Sequence, residues 1–239
     1  MKPLFLYILL FAFAGFAQQQ PTKVTYAKSV NSFVPKGWKI ITTTKGDLNK
    51  DGTEDVALVI EDTKKESFIT KDTLTLNINP RTLLVLFKRK SDGFYSLATK
   101  HTTIIPAANE VKNPNLADPL LNDGGVFITK GNLHVDFDYR LTNRSNDVSS
   151  SFDVSNTAYI FRFQDNGFVL VGYDTLKYNE FSGDMSNTKT DFLTRKKVAT
   201  TGDNIIGDLI TNKKTVTENI KIDKLLTLTD ITSDSEIDF

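Results

Sequence analysis

Apolar residues in this chain come in short bursts of strand length, and glycine turns preceded by Asx or Lys separate them. Val56-Ala57-Leu58-Val59-Ile60 is a continuous apolar run rich in β-branched residues, which predicts a buried strand. Leu83 to Phe87 repeats the pattern, Asp92-Gly93 turns the chain, and Phe94, Tyr95 and Leu97 return it. Ala158 to Phe163 and Phe168 to Val171 flank Asn166-Gly167 in the same way. A third hairpin joins Val126-Phe127-Ile128 to Leu133–Leu141 across Lys130-Gly131-Asn132. Within Leu133–Leu141 the alternation is strict, with Leu133, Val135, Phe137, Tyr139 and Leu141 on one face and His134, Asp136, Asp138 and Arg140 on the other. That pattern predicts one core face and one wet face.

The expected fold class is therefore all-β, with antiparallel hairpins forming a β-sandwich or open barrel. A small propeller-like repeat fold is the alternative. Turn glycines at positions 52, 93, 131, 167 and 202 fall about 35 to 41 residues apart, and the Val85 to Phe94 unit resembles Ile160 to Phe168. Ile105 to Gly125, with three prolines and many Asn and Asp residues, reads as a long loop and not as further blade strands. Lys214 to Ile222 predicts one more strand.

Met1-Lys2, the apolar stretch Leu4 to Phe13 and the small residues Gly15 and Ala17 form the pattern of a secretory signal peptide, residues 1–17. The domain expectation is a single all-β domain over 18–225, followed by a mobile acidic tail at 226–239 carrying Asp230, Asp234, Glu236 and Asp238. No cysteine is present for lipid attachment or disulfides, so the expected location is periplasmic or secreted, with no membrane span after leader removal. Lys+Arg and Asp+Glu both total 29, and no basic run is interleaved with aromatics, so nucleic acid is not an expected partner.

Residues 47 to 55, Asp-Leu-Asn-Lys-Asp-Gly-Thr-Glu-Asp, concentrate hard oxygen donors. Asp47, Asn49 and Asp51 stand at alternate positions before Gly52, so a tight turn brings their oxygens together, with the Thr53 carbonyl and Asp55 opposite. With no cysteine and no nearby histidine, the donor set selects calcium or magnesium, and the mixed ligands favour Ca2+. The same residues also suit an Asx-rich turn without metal. An EF-hand is excluded, because its twelfth loop position is Leu58 and a strand pattern follows.

Gly46 to Asp55 followed by Val56 to Ile60 resembles the calcium loop of FG-GAP repeats, the modules of integrin alpha-chain propellers and many bacterial surface proteins, here in a single copy. The resemblance implies calcium binding by Asp47, Asn49, Asp51 and Asp55. The leader and the Gly37-Trp38-Lys39-Ile40 lead-in are also similar to periplasmic proteins of Gram-negative bacteria.

Recognised catalytic patterns are missing: no Gly-x-Ser-x-Gly, no HExxH and no phosphate-binding glycine loop. Tyr173 and Tyr178, set among polar residues, are candidate ligand-binding rings for a sugar. The functional expectation is an exported non-catalytic calcium-binding β module that binds a cell-envelope or extracellular partner, glycan or protein. The alternative is a carboxylate-dependent hydrolase of an envelope or environmental polymer, using Asp136 and Asp138 or the Asp118 to Asp123 loop.

Overall fold

A computed structural model describes residues 25–142, 152–206, 212–233, 235 and 237. The leader over 1–17 and the tail acids Asp234, Glu236 and Asp238 lie outside the described residues. The described chain is all-β and antiparallel, built from open sheets that do not close into a barrel. The strands are β1 (Tyr26–Ala27), β2 (Trp38–Gly46), β3 (Asp55–Asp62), β4 (Phe68–Lys71), β5 (Leu74–Asn77), β6 (Arg81–Lys88) and β7 (Tyr95–His101). They continue with β8 (Gly125–Thr129), β9 (Asn132–Tyr139), β10 (Asp153–Gln164), β11 (Gly167–Asn179), β12 (Asp184–Asp191), β13 (Lys196–Asn204) and β14 (Lys214–Asn219).

One sheet has five strands in the order β1-β7-β6-β3-β2, another has seven in the order β14-β13-β12-β11-β10-β9-β8, and β4-β5 form a separate ribbon. Wide open sheets of this kind follow the sandwich expectation, and four-stranded propeller blades do not occur among them. The apolar runs in β3 and β6 exist because these strands are covered on both faces. Ala57, Val59, Leu83 and Val85 join the main core with Leu133, Val135, Phe137, Tyr159 and Phe161 of the larger sheet. Val56, Leu58, Ile60, Leu84 and Leu86 face the other way, under Phe33 and the partly buried Val30, Val34 and Trp38. Each fully buried Val, Leu, Ile or Phe among them stabilises the fold by roughly 1.5–3 kcal/mol before entropy is counted.

The hairpins sit as expected, with one refinement of register. Gln164 pairs with Gly167, so the turn between β10 and β11 is Asp165-Asn166, and both have positive φ (51° and 61°). Lys130-Gly131 does the same between β8 and β9, with φ of 52° and 73°. Two successive left-handed residues are what a tight hairpin with right-handed strand twist requires. Across β10 and β11, Ile160 faces Gly172 while Phe161 faces Leu170, which leaves Val171 of β11 as an extra residue. This bulge changes the phase of the alternation, so Phe168 and Leu170 before it and Tyr173 after it all point to the core side.

The segment from 226 onward, expected to be mobile, begins by docking. Leu170 N–H donates to Leu226 O at 2.8 Å, Thr227 bridges Val169, and Leu228 and Ile231 are 2 % and 1 % exposed in the main core. The physical reason is local: Phe168, Leu170 and Phe192 would otherwise lack a cover on that side.

Candidate functional site

The acidic loop is the connection between β2 and β3, closed by the pairing of Gly46 with Asp55. Its side chains fold back onto its own amides. Asp47 accepts from Asp51 N (Oδ1, 3.2 Å) and Gly52 N (Oδ2, 2.9 Å); Asn49 Oδ1 accepts from Asp51 N at 3.0 Å; Asp51 Oδ1 accepts from Thr53 N at 2.8 Å. Asn49 Nδ2 donates to Asp51 Oδ2 at 3.2 Å. Lys50 and Gly52 turn the backbone with φ of 61° and 83°. Each of these oxygens accepts one donor and keeps a lone pair.

Asp55 plays a different part from the one its spacing implied. It is fully buried, its Oδ2 accepts from Leu48 N (2.9 Å) and Asn49 N (3.3 Å), and its Oδ1 accepts from Lys88 N at 3.0 Å. Burial pushes its pKa up while those three amides pull it down. It therefore clamps the loop to the end of β6. Leu48, fully buried in the main core, is the loop's second anchor. Sequence reasoning passed over Leu48, although an apolar residue between two metal-type acids is a signal that the loop is tied inward.

The loop also lies at the seam between the two large sheets. Ile128 N–H of β8 donates to Thr44 Oγ1 at 3.3 Å, and a Cβ on Gly46 would lie 2.4 Å from Ile128 Cγ2. A Cβ on Gly131 would lie 3.3 Å from the Asp47 carbonyl oxygen. Small residues thus let the second sheet's first hairpin press against the loop.

As a cation site the loop offers Asp47 and Asp51 as side-chain carboxylates, with Asn49 Oδ1 and the Thr53 carbonyl as neutral oxygens. These are hard donors suited to calcium, and two carboxylates place such a site at the weak end of the calcium range, on the order of 10⁻⁴–10⁻³ M. Among the described residues no group of three or more His, Cys, Asp or Glu side chains is placed to hold a metal ion.

The carboxylates considered for hydrolysis are largely engaged elsewhere. Asp118 takes Arg81 through both oxygens (2.8 and 2.6 Å), and Arg81 also meets Glu61 at 2.9 Å. Asp138 was expected on a wet face but is fully buried. The loop before β8 covers it, with Pro119 O accepting from Asp138 N at 2.9 Å. Arg140 grips both of its carboxylate oxygens, Asn156 donates to it, and Arg140 also meets Asp123 at 2.7 Å and Glu180 at 3.3 Å. Asp136 stands apart. Burial, and then neighbouring Asp174, push its pKa up to about 6. His101 serves a turn, its Nδ1 accepting from Ile104 N at 3.1 Å.

Tyr173 and Tyr178 do not form one platform. They are five residues apart on a regular stretch of β11, so they point to opposite faces of the sheet. Tyr173 lies on the core side, 5.2 Å from the Tyr159 ring, while Tyr178 lies on the side of Arg140.

Comparison of the chain with protein-family models, curated proteins and solved structures finds no match. Among the described residues no helix is long and apolar enough to cross a membrane.

Proposed function

We propose that this protein is a non-catalytic calcium-binding β module, periplasmic or secreted, that presents its sheets to a glycan or protein partner. The observation that carries the reading is the loop Asp47–Asp55, whose Asx oxygens converge on one turn while Asp55 and Leu48 tie that turn to the core at the seam of the two sheets. A cation held there would fix the seam and hence the relative setting of the sheets. The resemblance to FG-GAP loops supports the same reading by association. The leader-like N-terminus supports the location. The hydrolase alternative has less support, because Asp118, Asp123 and Asp138 are held by Arg81 and Arg140.

Thermal unfolding in chelator and in millimolar calcium tests the proposal. Calcium at ten times its dissociation constant adds about 1.4 kcal/mol, and for a chain of this size that raises Tm by about 3–6 °C. The Asp47→Ala/Asp51→Ala variant is expected to lose the rise. Equal melting of both proteins under both conditions would reduce the loop to an Asx-stapled turn.

A further inference from the structure

The inner face of the seven-stranded sheet extends beyond the area covered by the five-stranded one, and the exposed part is not apolar. A cavity of about 610 Å³ lies on it; of the thirteen described residues that line it, ten bear hydroxyls, two are lysines and none is acidic. Strand register places Thr157, Thr175 and Thr188 side by side across β10, β11 and β12 as the floor. Lys177 and Lys197 stand at opposite corners, on a diagonal that passes through Thr188. From about 3.4 Å per residue and about 4.8 Å between strands, the two lysine Cα positions are roughly 17 Å apart. Neither lysine is in an ion pair with a described residue; Glu218 faces Lys197 in the register without pairing to it.

We propose that this hydroxyl-lined trough binds an acidic oligosaccharide, a chain of uronic-acid sugars whose carboxylates meet Lys177 and Lys197 while its hydroxyls meet the threonine floor. The inference rests on the reading of the protein as a binding module and names the ligand class. Each threonine hydroxyl both donates and accepts, as each sugar hydroxyl does, so a regular grid of them matches a repeating polyol. The lysines supply the charge complement that a neutral glycan would leave unused. An acidic peptide would bring apolar side chains, for which this floor has no pockets. A nucleic acid would require a basic stripe with stacking rings, and Tyr173 is packed against Tyr159.

Isothermal titration of the full protein with hexagalacturonate, in millimolar calcium, tests the assignment. Binding is expected for the wild type, with at least about a tenfold loss in Lys177→Gln/Lys197→Gln and a smaller loss in Thr188→Val. Both variants should keep the wild-type Tm, because the side chains changed are at the surface of the trough. Maltohexaose, of equal length and uncharged, should bind at least about tenfold more weakly than hexagalacturonate. Absence of hexagalacturonate binding, equal binding by the lysine variant, equal binding by maltohexaose, or tighter binding of inorganic polyphosphate would each overturn the proposal. The Asp47→Ala/Asp51→Ala protein, while folded, should still bind hexagalacturonate, so a failed calcium site and a failed trough give different results.

Discussion

Asp136 on β9, Ala158 on β10 and Asp174 on β11 lie in one row across the larger sheet, two carboxylates with only a methyl group between them. Burial raises both; repulsion from Asp174 adds to it at Asp136, which rises to about 6, while Lys189, His134 and the Thr190 amide partly offset the effect at Asp174. A carboxyl whose folded pKa lies above its unfolded value, ordinarily near 3.9, binds its proton more tightly when folded. Its contribution is therefore most favourable at acid pH and is lost as pH rises through the window from about 4 to about 6. Asp136→Asn is expected to be more stable than wild type at pH 7.5, by about 1–2 kcal/mol after solvent screening is allowed for, and to show little or no difference near pH 4. Urea midpoints at the two pH values check this. The site itself was partly legible at this scale. Asp47, Asn49 and Asp51 announce themselves because their spacing is local. The inward role of Asp55 does not, because one of its partners is the Lys88 amide on another strand. The burial of Asp138 likewise depends on Pro119 and Asn122, which no alternation rule within β9 reveals.

Burial made most strands legible, but not all. β3 and β6, covered on both faces, read as apolar runs, and β9, with its core face, read as alternation. β12, Asp-Met-Ser-Asn-Thr-Lys-Thr-Asp, buries little and carries no strong periodic signal, since the period records what a face packs against. β14 is exposed along its whole length, yet Lys214 to Ile222 read as a strand from the alternation of Val216, Ile220 and Ile222 with polar neighbours. The seam of β2 against β8 was invisible for a related reason: it rests on Gly46, a residue that contributes by what it lacks. Gly46→Ala would drive a methyl group into Ile128 and is expected to cost about 1–3 kcal/mol. Ile128→Ala alone should also destabilise, yet the double variant should recover part of the sum, a coupling of at least about 0.5 kcal/mol measured by a double-mutant cycle. Simple additivity would mean that the two sheets do not meet through this contact.

At the scale of the molecule, the main core is finished by the chain's last described segment. Leu228→Ala and Ile231→Ala are each expected to cost about 2–5 kcal/mol in equilibrium unfolding, whereas substitutions in a mobile tail would stay within about 0.5 kcal/mol. Phe33, close to the start of the described chain, fills the second core, which is built by β3 and β6 further along. Segments near both ends of the described chain are thus structural, and the order in which residues become available matters. Phe33 must wait for β3 and β6, and Phe168 and Leu170 must wait for Leu228 and Ile231. A partly delivered polypeptide keeps apolar surface open, which holds it in the reach of chaperones and makes it prone to aggregate. The main core shuts only when the segment carrying Leu228 and Ile231 arrives and docks behind Phe168 and Leu170.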